Sequence, residues 1–157
     1  MSENNYHIDQ VDQLPDEVEN LIHQGHVQDE ADNGIICNYK KFALAVKDNE
    51  DSIVGALQAY TAFSEIYVDD IWISPTARKN GLGRKLLQEL ENKFKGNGYN
   101  NINLVTSHFQ APDFYKKCGF IEEFTRTNKK NLKLSKTFFI KYFDDEDQFQ
   151  GILKGNQ

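Results

Sequence analysis

Two glycines surrounded by positive charge stand at the predicted start of a helix, in the stretch RKNGLGRKLLQEL at residues 78–90. The four cations of this start are Arg78, Lys79, Arg84 and Lys85. They are out of place there, because the first turn of a helix already has partial positive charge and unpaired N–H groups. Gly81 and Gly83 would let the backbone turn tightly and bring successive N–H groups towards a bound group. The pattern predicts a phosphate or pyrophosphate site; the alternative is a solvated basic turn.

Other phosphate-binding motifs fit this stretch poorly. No Lys-Ser or Lys-Thr pair follows the glycines, as a P-loop requires, and the spacing is not that of GxGxxG. No acidic residue beside a strand stands about twenty positions further on, where a dinucleotide-binding fold would use one to hold a ribose. The rest of the helix carries an apolar stripe of core type, formed by Leu82, Leu86, Leu90 and Phe94.

Acidic and aromatic residues are mixed in the stretch EIYVDDIWI at 65–73, which has the composition of a strand. By strict alternation, the face that begins with Glu65 and Tyr67 becomes apolar after Asp69. The opposite face, apolar at first, carries Asp70. A β-bulge or a parting of strands near Asp69 would explain both changes. Carboxylates beside aromatic rings suit a small cation with some apolar surface.

The hydrophobic pattern also predicts the scaffold that must hold these two stretches. A helix begins near Pro15 and ends at Gly25, and three strands follow it, namely FALAV, IVGALQAY and EIYVDDIWI. The basic stretch opens the next helix; a strand (INLVT), a short helix (APDFYKKCG) and two strands (FIEEF and TFFIKYF) come after it. Because both later helices link strands, we predict an α/β (α+β) fold with a single mixed sheet and helices on its faces.

Composition limits the classes of protein. The 157 residues, 39% of them hydrophobic, predict a single domain over 1–157, with its core at about 35–143 and a C-terminal extension at 144–157. A formal net charge of −6 argues against nucleic acid as the main partner. The apolar runs are short and the N-terminus lacks a signal pattern, so we expect a cytoplasmic protein with no membrane partner. Cys37 and Cys118 favour neither a disulfide framework nor a metal site.

Two motifs resemble those of the GCN5-related N-acetyltransferase (GNAT) superfamily. RKNGLG is similar to its Arg/Gln-x-x-Gly-x-Gly/Ala signature and follows a strand ending in IWISP, where the superfamily has it. FQAPDFYKKCGF at 109–120 is similar to the second signature, in the form of a bacterial subgroup. The resemblance covers most of residues 35–143. It implies a mostly antiparallel sheet that splays open at its centre to admit the pantetheine arm of acetyl-CoA.

The resemblance implies acetyl-CoA as the cofactor and assigns its contacts. Backbone groups of the third strand would polarise the thioester carbonyl, and the glycine turn would hold the pyrophosphate, with Arg78 and Arg84 as charged supports. The cofactor-binding residues so implied are Ile71, Trp72, Ile73, Arg78, Lys79, Asn80, Gly81, Leu82, Gly83 and Arg84.

The resemblance also implies catalytic roles. Tyr115 stands where the superfamily commonly uses a tyrosine hydroxyl as general acid to the CoA sulfur; a purely structural tyrosine is the alternative. Asp69 is our first choice of general base, with Glu65 and Asp70 as alternatives, although a carboxylate here could instead bind the amine or pass its proton through water. Glu65, Tyr67 and Asp70 are the predicted substrate-binding residues. A polar cap at the strand end is the non-functional interpretation of the Asp69–Asp70 pair.

Two further residues near the second motif have uncertain roles. His108 stands where many relatives carry an asparagine that holds the pantetheine arm, so it is either a proton acceptor or a structural histidine. Cys118 stands where leucine is usual, which favours packing over a role as nucleophile. We therefore expect direct attack in a ternary complex.

The resulting prediction is an acetyl-CoA-dependent N-acetyltransferase that acts on a primary amine of a small molecule or amino acid. The alternatives are a protein or peptide amine acetyltransferase and a non-catalytic acyl-CoA-binding protein. We expect acceptor specificity to reside in the loops at 25–40 and 125–136. The last strand and the tail could complete a homodimer; a monomer is the alternative.

Overall fold

The computed structural model describes residues 5–110 and 112–143. The chain divides into two compact units, Met1–Cys37 and Asn38–Gln157. The predicted extension at 144–157 lies outside the described residues, and the single domain over 1–157 stays a prediction. No helix among the described residues is long and apolar enough to span a bilayer.

The first unit contains one helix, α1 (Asp16–Asp32). Our prediction that it ends at Gly25 is wrong, because the helix continues for another two turns. A single glycine costs only about 1 kcal/mol inside a helix, and the residues after it sustain the helix. The helix ends where the side-chain amide of Asn33 donates to the carbonyl of Asp29 at 2.7 Å. Part of the predicted 25–40 loop is therefore helical.

The second unit is built on one six-stranded sheet. Its strands are β1 (Lys40–Lys47), β2 (Ile53–Ala62), β3 (Glu65–Ile73), β4 (Asn101–Ser107), β5 (Ile121–Arg126) and β6 (Lys136–Tyr142). Their order across the sheet is β1-β2-β3-β4-β6-β5. Only β3 and β4 pair in parallel, and the other neighbours are antiparallel. The predicted fold class, a mixed and mostly antiparallel sheet with helices, is confirmed.

Two helices connect these strands, α2 (Leu82–Phe94) between β3 and β4 and α3 (Pro112–Lys117) between β4 and β5. The apolar stripe of α2 buries Leu86, Leu87 and Leu90. They belong to one core with the inner face of the sheet, whose buried side chains include Leu57, Ile66, Val68, Ile102, Leu104 and Phe139. Each buried leucine contributes roughly 1.5–3 kcal/mol relative to exposure, so this face fixes α2 on the sheet.

Candidate active site

A β-bulge lies in the acidic part of β3. Gln58 of β2 is opposite Asp70 and the next residue, Ala59, is opposite Val68, which leaves Asp69 as the extra residue. Because antiparallel partners share a face, the bulge puts Ile71 on the inner face with its partner Leu57. The change of character along each face, which strict alternation leaves unexplained, follows from this one inserted residue.

The two central strands part immediately beyond the bulge. Their parallel pairing covers Glu65–Val68 against Asn101–Leu104, and in the described residues it ends there although both strands continue. Residues 69–73 and 105–107 therefore face each other as open strand edges, whose N–H and C=O groups can receive the amides of an extended ligand. The predicted splay at the centre of the sheet lies at this point.

A cleft of about 740 Å³ opens in this gap. One wall is the parted end of β3, and another is the start of α2 with the turn before it. The remaining wall comes from the end of β4, the turn after it and α3. The residues lining the cleft are 68–73, 77–79, 81–84, 104–106, 109–110 and 114–115. The cleft brings together the basic turn, the bulge carboxylates and Tyr115, which sequence alone could only place in three separate elements.

The start of α2 has the backbone form that an anion site needs. Gly81 is its N-cap residue with φ of 69°, in the left-handed region that glycine adopts at little cost, and no side chain caps the helix start. Within residues 5–110 and 112–143, the N–H groups of the first turn therefore have no capping side chain. Gly83 lines the cleft as predicted for a cofactor contact, and a Cβ atom there would also lie 3.1 Å from Cζ of Phe114. It allows α3 to pack close to α2.

Three side chains at this turn and helix start, those of Arg78, Asn80 and Arg84, donate hydrogen bonds to backbone carbonyls. Arg78 Nε donates to the carbonyl of Ile73 at 3.1 Å, and Arg84 Nη2 donates to the carbonyl of Lys117 at 2.9 Å. Asn80 donates to the carbonyls of Ala77 and Arg78 and, within the described chain, is the one predicted cofactor residue that does not line the cleft. The arginines supply positive charge at the cleft while they also brace its walls.

Tyr115 lies on α3 with its ring half-buried in the core. Its ring centroid is 5.8 Å from that of Phe139 and 5.1 Å from that of Phe114. Burial, followed by electrostatic interaction with Asp70 and then with Cys118, raises the pKa of the Tyr115 phenol above its ordinary value. The hydroxyl therefore stays protonated at neutral pH, in the form that a general acid requires.

Asp69 and Asp70 are both exposed and both line the cleft. Their electrostatic neighbours differ: Asp70 acts on Tyr115, whereas Asp69 acts on Tyr60. Burial is the first cause that raises the pKa of Tyr60, and Asp69 is the second. Tyr60 stacks on Tyr67 with ring centroids 5.0 Å apart. One carboxylate is thus associated with the candidate acid and the other with an aromatic surface on the outer face of the sheet.

Glu65 and Tyr67, two of the predicted substrate-binding residues, do not line the cleft among the residues described. The Tyr67 hydroxyl donates to one oxygen of Glu65, and Asn101 Nδ2 donates to the other at 3.0 Å. Asn101 is only 2% exposed and also accepts from Asn103 at 2.8 Å. In this structure the Glu65 carboxylate therefore links β3 to β4 where the two strands are paired.

Sequence reasoning missed the wall contributed by the turn after β4. Phe109 and Gln110 line the cleft, and the hydroxyl of Thr106 donates to the carbonyl of Gln110 at 2.9 Å. His108 lines a different cavity, and its backbone N–H donates to Ser135. The only available signal was that these residues follow a strand that ends beside the splay.

Comparison with known proteins agrees with the fold. The chain belongs to the acetyltransferase (GNAT) family, whose family model matches residues 8–120. A blasticidin-S acetyltransferase from Streptomyces morookaense is 30% identical over 69 residues, which are 43% of this chain and 51% of that protein. The chain thus spans about half the length of the curated relative it matches.

Solved structures give the same family at the level of the fold. An acetyltransferase from Bacillus cereus has a TM-score of 0.71 at 26% identity, over 86% of this chain and 98% of that one. The ribosomal-protein-S18-alanine N-acetyltransferase from Escherichia coli has a TM-score of 0.58 at 18% identity, over 74% and 77% of the two chains. The family predicted from RKNGLG and FQAPDFYKKCGF is confirmed, and it supports the predicted enzyme class and cofactor, acetyl-CoA.

The cleft also fits acetyl-CoA on structural grounds. Its α2 end offers uncapped N–H groups and positive charge for a pyrophosphate, and its middle offers two open strand edges for the amides of a pantetheine chain. Its lining also includes the half-buried Tyr115. These three features lie in one cleft.

Proposed function

We propose that this protein transfers the acetyl group of acetyl-CoA to a primary amine of a small cationic molecule, such as an amino acid or a related amine. The observation that carries the proposal is the parting of β3 and β4 beyond Val68 and Leu104. This parting opens the sheet between the anion site of α2 and the bulge carboxylates. A donor held on one side and an amine held on the other can therefore meet within the gap.

The acceptor side of the gap has the chemistry of an amine site. Asp69 and Asp70 present negative charge at the cleft. Outside the described lining of the cleft, Tyr39, Tyr60 and Tyr67 form a connected row of rings with centroids 5.6 Å and 5.0 Å apart, and Tyr60 interacts electrostatically with Asp69. Carboxylates attract an ammonium group, and ring faces favour cations and apolar carbon. The blasticidin-S acetyltransferase relative is named for a small-molecule acceptor, which agrees with this class.

Each chemical need of the reaction has a residue in the cleft. Acetyl-CoA supplies the acetyl group as a thioester. Asp69 holds the amine and accepts its proton, directly or through water, and backbone N–H groups at residues 71–73 stabilise the developing oxyanion. Tyr115 donates its phenolic proton to the departing sulfur, for which its raised pKa keeps it protonated.

The position of Cys118 supports direct attack by the amine. Cys118 is absent from the described lining of the cleft and lines a separate cavity. Burial raises the pKa of its thiol, although Arg84 and Lys141 act in the opposite direction. A thiol that is held protonated and away from the gap is a poor nucleophile, so an acetyl-cysteine step is not part of the proposal.

Calorimetric titration with acetyl-CoA, followed by thiol-release assays on a panel of amines, tests the proposal. We expect micromolar binding of acetyl-CoA and turnover with small amines that carry apolar or aromatic groups. Desulfo-CoA should bind similarly and release no thiol. Binding without turnover on small amines but with turnover on peptides would favour the protein acetyltransferase. Binding without turnover on either would favour a non-catalytic acyl-CoA-binding protein, and absence of binding by folded protein would exclude both enzyme classes.

A further inference from the structure

Two cations hold the C-terminal end of α3, the short helix that carries Tyr115. Arg84 Nη2 donates to the carbonyl of Lys117 at 2.9 Å, and Lys141 Nζ donates to the carbonyl of Cys118 at 3.2 Å. Lys141 is itself paired with Glu91 of α2 at 2.7 Å. The carbonyls at the end of a helix carry partial negative charge, so both cations are favourably placed.

Helix α3 depends on such ties for its position. It has six residues, far fewer than a helix needs to be stable by itself in water. Its last turn is closed by the N–H of Cys118 to the carbonyl of Phe114 at 3.1 Å and by the N–H of Phe120 to the carbonyl of Tyr115 at 3.0 Å. Those carbonyls belong to Phe114 and Tyr115, which both line the cleft. A shift of the helix end would therefore move the Tyr115 hydroxyl.

Arg84 connects this helix end to the anion site. It is the third residue of α2, so its backbone lies in the uncapped first turn while its guanidinium reaches residue 117, thirty-three positions away in the chain. Gly83, which immediately precedes Arg84 in α2, packs against Phe114 of α3. The turn that would hold the pyrophosphate and the helix that holds the candidate acid are thus joined at residues 83 and 84.

We propose that Arg84 is a positioning residue for Tyr115, whose guanidinium fixes α3 against the cofactor-binding turn, rather than chiefly a ligand of the pyrophosphate. This inference rests on the proposed function, because it concerns the step in which Tyr115 protonates the departing sulfur. The Arg84 side chain then contributes mainly to kcat, and its backbone N–H contributes to the affinity for acetyl-CoA. Lys141 gives the same helix end a second tie from β6.

The neighbouring lysine provides a matched control. Lys85 carries the same charge at the same helix start, but among the described residues its side chain makes no hydrogen bond or ion pair. Replacing either Arg84 or Lys85 by leucine removes one positive charge near the anion site. Only the Arg84→Leu change also removes the tie to α3.

The experiment measures the Kd for acetyl-CoA by calorimetry and kcat by thiol release for Arg84→Leu and Lys85→Leu, each with and without Tyr115→Phe. We expect the Kd values of the two leucine variants to agree within about threefold, because each loses one charge. We expect Arg84→Leu to lower kcat on the order of tenfold to a hundredfold, as a misplaced catalytic group does, and Lys85→Leu to leave it within about twofold. In the Tyr115→Phe background the effect of Arg84→Leu on kcat should nearly disappear.

Equal loss of kcat from Arg84→Leu in both backgrounds would overturn the proposal, since Arg84 would then act independently of Tyr115. A tenfold rise in Kd with unchanged kcat would also overturn it and make the guanidinium a phosphate ligand. Arg84→Lys, which keeps the charge and one donor, should give an intermediate kcat and replaces the leucine variant if that protein does not fold.

Hydrogen exchange separates this inference from the proposed function. The amides of residues 113–120 should exchange faster in Arg84→Leu than in wild type and Lys85→Leu, whether or not an amine substrate is turned over. Unchanged exchange would overturn the tie itself. Faster exchange in Arg84→Leu, combined with a wild-type protein that acetylates no amine, would leave the tie intact but overturn the proposed function and, with it, the catalytic meaning of the tie.

Discussion

Strands β3 and β4 run side by side in the same direction, yet their two halves differ. In the closed half, Glu65–Val68 pairs with Asn101–Leu104 and a network of side-chain hydrogen bonds around Asn101 spans both strands. In the open half, residues 69–73 and 105–107 are parted, and residues 69–73 and 105–106 line the cleft. The boundary coincides with the bulge at Asp69.

The difference shows that acidic side chains of one strand, β3, have two different environments. Glu65 is engaged by Tyr67 and Asn101, so its carboxylate satisfies its neighbours in the closed half. Asp69 and Asp70 are exposed to the cleft, and no hydrogen bond or ion pair of their side chains is present among the described residues. Chemistry is therefore expected from the open half and stability from the closed half. Five changes can break or sharpen this division.

The largest effect is expected from Tyr115→Phe, which removes the candidate acid from the cleft at the open half. General acid catalysis typically contributes 10²–10⁴-fold, so we expect kcat to fall by about a hundredfold or more while the Kd for acetyl-CoA stays within about twofold. Steady-state kinetics and calorimetry measure the two quantities. Phe120→Leu, a change in a buried ring near Tyr115, is the control for general loosening of this region. An unchanged kcat in Tyr115→Phe would remove Tyr115 from the mechanism.

Deletion of Asp69 should erase the boundary between the halves. Without the extra residue, β2 and β3 could pair in one continuous register, and β3 could then stay paired with β4 beyond Val68. We expect affinity for acetyl-CoA to fall by at least about tenfold, measured by calorimetry. Asp69→Ala is the matched control, because it keeps the bulge and should keep the affinity while it lowers kcat/KM for the amine. Equal affinities in the deletion and the wild type would show that the bulge does not hold the cleft open.

Gly81→Val should weaken binding of acetyl-CoA at the start of α2, which lines the cleft beside the open half. A β-branched residue is strained at φ of 69°, at a cost of roughly 1–2 kcal/mol. If the turn relaxes away from this conformation, the Kd for acetyl-CoA should rise by up to about tenfold. Gly81→Asn is the control, since asparagine tolerates the left-handed region and should bind nearly as wild type does. Equal Kd values for the valine and asparagine variants would argue against a role for this backbone conformation.

Asn101→Ala tests the closed half. The residue is 2% exposed and bonds to Glu65 and Asn103, so its loss leaves partners unsatisfied at a cost of about 1–3 kcal/mol in the free energy of unfolding. Denaturant unfolding measures this change, and kcat should remain within about twofold of wild type. Asn103→Ala, at a half-buried position with one of these bonds, should cost less. A large loss of kcat/KM for the amine with unchanged stability would instead place Glu65 in the acceptor site, as the sequence predicted.

The smallest effect is expected from Asp70→Asn in the open half. The negative charge of Asp70 is the second cause, after burial, that raises the pKa of Tyr115. Activity that needs the protonated phenol is present below this pKa and is lost as the pH rises through it. Removing the charge should therefore move the alkaline limb of the kcat profile to lower pH and leave its plateau nearly unchanged. A limb that stays in place would separate Asp70 from Tyr115; Asp69→Asn provides the comparison.

The local elements of the open half could be predicted because short-range patterns encode them. The apolar stripe of α2, the glycine turn before it and the strand EIYVDDIWI all appear in the structure within a residue or two of their predicted bounds. The bulge near Asp69 could also be anticipated, since an alternating pattern that changes phase requires an inserted residue. By contrast, the end of α1 was missed because one glycine does not outweigh the helical residues after it.

Contacts between distant parts of the chain could not be predicted in the same way. The bond from Asn101 to Glu65 spans thirty-six positions and the bond from Arg84 to the carbonyl of Lys117 spans thirty-three. Both depend on the register of neighbouring elements, which a linear pattern of residue types leaves open. For this reason the bond between Glu65 and Asn101 was not predicted, nor was the position of Phe109 and Gln110 at the cleft.

The sequence by itself determined the family, the order of helices and strands and the chemical character of each stretch, because periodicity and motif spacing are properties of neighbouring residues. Only the tertiary structure decided which carboxylates face the cleft, which one is used in the closed half, and how the guanidinium of Arg84 reaches the helix of Tyr115. Those outcomes depend on strand register and on the packing of α2 and α3, which form only when residues far apart in the chain are brought together.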